Sequence, residues 1–326
     1  MIKRQIEEYC STLGLNNIGF IKCRRFNELE EFFIKRKEQV LENEFEESEL
    51  ERRINPNIYM EEGKTIISIA FPYIWDNSSN ENGFSKYTKG YDYHKVVKSY
   101  LDNICEYISS LNGSAIPLVD SNSLPERYIA YLGGVGFIGR NNMIITKEYG
   151  SYVFLGEIIT DLDIECGDAN IFKEISTYKQ CGECKKCIEN CPTKSISLKR
   201  INPNICSSYI TQKKDLSKTD IKLIKGKVFG CDICQDVCPY NQNVKESNIE
   251  MFKPLEFMDD DIKVYADINN KFFKESIART SCGWRGKNVI KRNAIIKLYE
   301  QGENISIYRG KSPYIDEYID KIIEIE

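Results

Sequence analysis

A chain of 326 residues with 41% apolar and 29% charged side chains has the composition of a folded globular protein, not of a disordered or fibrous one. Thirteen cysteines in a chain whose first ten residues already carry Lys3, Arg4, Glu7 and Glu8 argue against a secreted disulfide framework and for metal. The Arg24-Arg25 pair is followed by charged residues, unlike an export signal, and the longest apolar stretch, 65–75, is about half of a bilayer crossing, so a cytoplasmic protein with no membrane span is expected.

Apolar spacing predicts a helix over 2–13, a short strand over 18–21 and a long charged helix over 29–50. The acidic run Glu42, Glu44, Glu46, Glu47, Glu49 and Glu51 then reads as a solvated face of that helix. The β-branched run 65–71, bounded by Gly63 and Pro72, predicts a buried strand. A helix over 93–111 follows, stopped by Asn112-Gly113, then a strand over 115–119, a helix over 124–132 with Pro125 in its first turn, and strands over 143–146 and 152–159. After Asp168 the pattern dissolves into Cys, Lys, Gly and Pro until about Asn243, as in a small module organised by metal, and beyond Lys253 it is helical again. The fold class expected is α+β, with a layered N-terminal domain whose strand order is not readable.

The cysteines carry the most specific signal. Cys181-x2-Cys184-x2-Cys187-x3-Cys191-Pro192 is the bacterial ferredoxin spacing, and Cys231-x2-Cys234-x3-Cys238-Pro239 is a second set short of one member, which Cys206 supplies. Because the cysteine before proline serves the other cluster, Cys181, Cys184, Cys187 and Cys238 are expected to hold one 4Fe-4S cluster and Cys191, Cys206, Cys231 and Cys234 the second. Two such blocks favour clusters over the structural zinc that paired CxxC motifs also hold. Cys10, Cys23, Cys105, Cys166 and Cys282 are scattered and read as buried free thiols.

Gly134-x-Gly136-x-x-Gly139 matches the dinucleotide fingerprint, but the order around it is helix then strand, the reverse of what that fingerprint needs; close backbone approach to a flat or anionic ligand remains open. Asp120 ends an apolar strand and Arg127 lies on the following helix, an arrangement that suits a strand-edge pocket, although the same aspartate equally suits a turn cap. His94, the only histidine, is as fit for a structural hydrogen bond as for a metal. Charge is uneven: 173–230 has thirteen Lys/Arg against five Asp/Glu, and 279–297 has six against none. Both segments suit an RNA backbone.

With Asp92-Tyr93-His94, Val119-Asp120, Pro125-Glu126-Arg127, Gly139-Arg140-Asn141, Phe154-Leu155-Gly156-Glu157, the cysteine blocks and Trp284-Arg285-Gly286, the chain resembles the epoxyqueuosine reductases from about Arg53 to Asn293. The resemblance implies cobalamin and two 4Fe-4S clusters, reduction of epoxyqueuosine to queuosine at the wobble position of tRNA, recognition of the anticodon stem-loop, and a reduced donor such as ferredoxin or flavodoxin. It implies that Asp120 is the general acid, that Arg127 holds substrate or the Asp120 carboxylate, that Arg285 binds substrate, and that Arg53, Asp120, Asn141, Ile144, Ser208 and Thr211 contact cobalamin. It divides the chain into a cobalamin- and substrate-binding domain at 1–168, a two-cluster ferredoxin-like domain at 169–245 and a helical C-terminal region at 246–326. Arg140 departs from the lysine of many relatives, a change that keeps charge but alters hydration and geometry. Many relatives also continue into helical repeats where this sequence stops. Reductive dehalogenases share the cobalamin and two-cluster plan but usually carry an export signal; a ferredoxin-type electron carrier is the non-enzymatic alternative.

Overall fold

The apolar run at 65–71 becomes the centre of a sheet. β1 (Ile18–Lys22), β2 (Thr65–Pro72), β3 (Ala115–Leu118) and β6 (Val153–Thr160) stand in the order β1-β2-β6-β3, every pair antiparallel. All eight residues of β2 are buried, because both of its edges are paired and both of its faces are covered. The computed structural model describes residues 1–75, 82–120, 122–166, 172–198, 201–224 and 226–325. The expected domain boundary at 168/169, and Lys199, Arg200 and Lys225 of the basic segment, lie outside the described residues.

Contacts divide the chain into two units. The first comprises Met1–Ile74, Tyr93–Lys186 and Cys238–Glu250. Besides the sheet it holds α1 (Ile2–Thr12), α2 (Glu30–Glu38), α3 (Leu50–Ile54), α4 (Tyr93–Ser110), α5 (Glu126–Leu132) and a hairpin of β4 (Phe137–Ile138) and β5 (Ile144–Ile145). Helix α4 presents Val96, Val97, Leu101, Ile104 and Ile108 as one apolar stripe. It lies tight on the sheet because Gly156 has no side chain: a Cβ there would stand 2.8 Å from Val97 and 3.0 Å from Leu101. Alternation along β6 puts Leu155, Glu157 and Ile159 on the opposite face. There Ile159 packs with Ile21, Ile66, Leu124, Tyr128 and Ile129 under α5. Gly19 of β1 meets the backbone of Gly133 at the end of α5, where a Cβ would lie 2.3 Å from the carbonyl oxygen.

The second unit comprises Trp75–Asp92, Cys187–Val237 and Met251–Glu326. Its core gathers Phe84, Phe229, Met258, Ile290, Ile295 and Ile319 around the helices Lys287–Glu300 and Pro313–Ile323. The latter starts cleanly, with Ser312 accepting the Ile315 N–H and Pro313 at the first position. Arg292, read in the sequence as part of a basic surface, is fully buried. It donates to the carbonyls of Lys213 at 3.0 Å and Lys214 at 2.7 Å and to the Tyr314 hydroxyl at 2.8 Å. Lys291 is also buried, so this segment offers fewer free cations than its composition implies.

The expected helix over 29–50 is a correction. α2 stops at Glu38; Val40 takes a left-handed φ of 54°, and Leu41 turns into the core with its N–H on the Arg36 carbonyl. Continuing the helix would have kept Leu41 from the core and stacked glutamates four apart. The acids are not a solvated helix face either: Glu42 and Glu46 take Arg53 at 2.6 and 3.0 Å, and Glu46 takes Arg36 at 2.9 Å. Of the five scattered cysteines, Cys10 and Cys282 are buried as expected, whereas Cys23, Cys105 and Cys166 are only half-buried.

Candidate active site and cluster ligands

Asp120 sits just past the end of β3, in a left-handed conformation with φ 45°. Its carboxylate faces the N-terminus of α4, where Nε2 of His94 lies 3.0 Å from its Oδ2. Tyr93, stacked on Phe154 at 4.2 Å and on His94 at 4.0 Å, also hydrogen-bonds this carboxylate. Partial burial works to raise the Asp120 pKa, but the bonds from His94 and Tyr93 and the charge of Arg127 outweigh it and hold the group below the ordinary carboxylate value.

The other side of the turn is the start of α5. One carboxylate oxygen of Glu126, Oε1, accepts both the Asp120 N–H at 2.9 Å and the Asn122 Nδ2 at 2.8 Å. Arg127 is exposed, with Nη1 on the Asn142 carbonyl at 2.9 Å, which ties the helix to the glycine hairpin. That hairpin turns on Asn142 at φ 62°, with the Asn141 side chain accepting the Met143 N–H at 3.3 Å and Ile144 buried in β5. Helix precedes strand here, as the sequence order indicated, so no dinucleotide cradle forms.

Arg53 stands on α3, over the Phe33 ring at 3.9 Å, between Glu42 and Glu46. The same network reaches the site, since Glu46 and Arg36 act electrostatically on Arg127. In the second unit, the Ser208 carbonyl accepts the Thr211 hydroxyl at 2.8 Å and the Gln212 amide at 3.0 Å. Thr211 is buried and takes the Gly230 N–H at 3.0 Å. Gln212 in turn accepts the indole N–H of the exposed Trp284, whose ring carries the Arg285 guanidinium at 4.1 Å. The 208–212 segment and the Trp284-Arg285 pair are therefore neighbours within that unit.

Of the eight cysteines expected to hold the clusters, Cys181, Cys184 and Cys238 fall in the first unit and Cys187, Cys191, Cys206, Cys231 and Cys234 in the second. Burial raises Cys238, and the thiolates of Cys181 and Cys184 raise it further. Burial likewise raises Cys206, brings Cys231 to about 11 and pushes Cys234 well above the thiol range, with Cys231, Cys206 and Cys187 adding to the last. Cys191 goes the other way: N–H groups of Thr193, Ser195 and Ile196 and the Thr193 hydroxyl outweigh its burial. Eight thiols at ferredoxin spacing within residues 180–241 fit two 4Fe-4S clusters. Arg140 donates to the Gly182 carbonyl at 2.7 Å, in the loop between Cys181 and Cys184.

Sequence reading left His94 between a structural hydrogen bond and a metal, and named Glu126 and Glu157 only within motifs. Their partners are 26, 6 and 89 residues away, and no local spacing reveals such pairs.

A family model described as a 4Fe-4S double cluster binding domain matches residues 180–241, and one described as epoxyqueuosine reductase QueG matches 53–121. The epoxyqueuosine reductase of Lactococcus garvieae is 33% identical over 311 residues, covering 91% of this chain and 86% of the relative. That of Bacillus subtilis is 32% identical, over 91% of this chain and 78% of the relative. A crystal structure of a selenomethionine-labelled epoxyqueuosine reductase superimposes with a TM-score of 0.87 at 30% identity, covering 98% of this chain and 90% of that one. An epoxyqueuosine reductase crystallised with an epoxyqueuosine-modified tRNA-Tyr stem loop gives 0.86 at 27% identity, covering 99% and 98%. Sequence, fold and cluster spacing agree, and this chain belongs to the epoxyqueuosine reductase family.

Proposed function

We propose that this chain is an oxidoreductase that reduces epoxyqueuosine to queuosine at the wobble position of tRNA, with electrons carried through two 4Fe-4S clusters to cobalamin. The observation that carries the chemistry is the 3.0 Å contact between Asp120 and His94 at the sheet edge, next to the exposed Arg127. Removal of the epoxide oxygen consumes two electrons and two protons. Cobalamin, when bound, supplies the reducing centre. Protons and position come from the chain.

Asp120 is the general acid in this reading, and His94 is placed to return a proton to it. Ionised in the free protein, Asp120 becomes a donor when bound ligands cover its half-exposed carboxyl and remove water from it. Arg127 and Arg285 bind substrate. Arg53, Asp120, Asn141, Ile144, Ser208 and Thr211 contact cobalamin, the buried ones through their backbones. The polar edge formed by Asp120, Arg127 and the Asn142 turn is open to a flat ligand, which supports placing a corrin beside it. Cys181, Cys184, Cys187 and Cys238 hold one cluster, and Cys191, Cys206, Cys231 and Cys234 the other. The functional division follows 1–168 for cofactor and substrate, 169–245 for the clusters and 246–326 for the helical remainder. A reduced ferredoxin or flavodoxin supplies electrons, and a tRNA substrate places the protein in the cytoplasm. Among the described residues no helix is long and apolar enough to cross a membrane.

The test is Asp120→Asn, which keeps shape and hydrogen bonding but has no acidic proton. Single-turnover product formation should fall by about 10² to 10⁴ with cluster and cobalamin content unchanged. Turnover at the wild-type rate would remove Asp120 from the chemistry.

A further inference from the structure

A carboxyl group in the middle of a sheet is costly to keep, and this chain keeps one beside its candidate acid. Glu157 stands in β6 opposite Ser68 of β2 and Leu118 of β3, fully buried. The Ser68 hydroxyl donates to its Oε1 at 3.2 Å. Its Oε2 is buried and meets no hydrogen-bond partner among the described residues. The group that acts on it most strongly is the carboxyl of Glu126, brought in by the first turn of α5. Glu126 in turn spends Oε1 on the two bonds that close the Asp120 turn.

Two carboxylates that act on each other this strongly, Glu157 fully buried and Glu126 half-buried, do not both stay charged at little cost. One shared proton turns the repulsion into an O–H···O bond, and the unpartnered oxygen of Glu157 is the place for it. Burial raises both groups, Glu126 to about 7 and Glu157 well above the ordinary carboxylate value; each raises the other, and Asp120 raises both. Opposing this, Asn122 and Arg127 lower Glu126 and Ser68 lowers Glu157. His94 and Tyr93 act on Asp120.

We propose that Glu126 and Glu157 share one proton and together act as positioning residues, holding the Asp120 turn in the conformation from which Asp120 reacts. With the proton in place Glu126 stays docked over β6 and its Oε1 holds the Asp120 N–H. Without it, the repulsion between the buried Glu157 and the half-buried Glu126 drives the start of α5, and the Asp120 turn with it, toward water. The inference deepens the general-acid reading and rests on it.

The test has one readout that needs neither cofactor nor substrate. The isotope-edited infrared spectrum of the cofactor-free protein, with labelled glutamate, should show a protonated carboxyl at neutral pH that is lost only on the alkaline side and is absent in Glu157→Gln. In the reconstituted enzyme, Glu157→Leu, which fills the space without a donor, should lower the single-turnover rate about tenfold or more while KM holds, as expected when orientation alone is lost. Glu157→Gln, whose amide donates to Glu126 at every pH, should restore most of that rate. It should also flatten the alkaline decline, about tenfold per pH unit in the wild type. No protonated carboxyl at neutral pH, or equal rates and pH profiles in the Leu and Gln variants, would overturn the shared proton. Failure of the general-acid reading looks different: Asp120→Asn would turn over normally while the infrared band remained.

Discussion

Asp120 gains its properties from residues that meet it only in the fold. A lone aspartate at a strand end would titrate near its ordinary value; here His94 and Tyr93 hold it lower despite burial. The sign follows. A depressed carboxylate stabilises the fold above its unfolded-state pKa, and that contribution is lost as pH falls through the lower folded-state value. In His94→Gln, carbon-13 carboxyl titration should find Asp120 moved up toward the ordinary value of 3.8, and acid unfolding should begin at higher pH. An unmoved Asp120 would remove His94 from its environment. The aspartate and Arg127 were legible in the sequence as a strand-edge pair. His94 was legible only as the sole histidine and as part of Asp92-Tyr93-His94, and Glu157 only as part of a run, because the contacts that define them join residues far apart in the chain.

Among the elements, those with one unambiguous period were read correctly. β2 was legible because its β-branched run is bounded by Gly63 and Pro72, and α4 because its stripe persists to the Asn112-Gly113 stop. The segment 29–50 was misread, since helical propensity there competes with the burial of Leu41 and with ion pairs to Arg36 and Arg53. The structure puts Val40 in the left-handed region as the cost of that turn. A β-branched residue there is strained and glycine is not. Val40→Gly should therefore raise stability by about 1 kcal/mol in urea unfolding despite the entropy that glycine adds to the unfolded chain. A loss of the same size would mean that Val40 makes contacts worth more than the strain.

At the scale of the whole molecule, the cysteines were the most legible feature, because the cluster module is organised by short spacings rather than by a large core. The basic segments were legible only in part. Arg292 is spent on internal carbonyls, and Lys213 pairs with Asp220 at 2.7 Å, so composition overstated the cationic surface. The proposed ligand least determined by spacing is Cys206. Cys206→Ala should lower bound iron and disturb one cluster's electron paramagnetic resonance signal more than the other's; full iron content would move that ligand elsewhere. The central claim, epoxide reduction on RNA, is tested most directly by one assay. Anaerobic protein reconstituted with iron, sulfide and cobalamin is given a strong reductant and an anticodon stem-loop carrying epoxyqueuosine, and the digested nucleosides are weighed. Conversion to queuosine, one oxygen lighter, is the expected result; epoxyqueuosine recovered unchanged from protein with both clusters and cobalamin in place would contradict it.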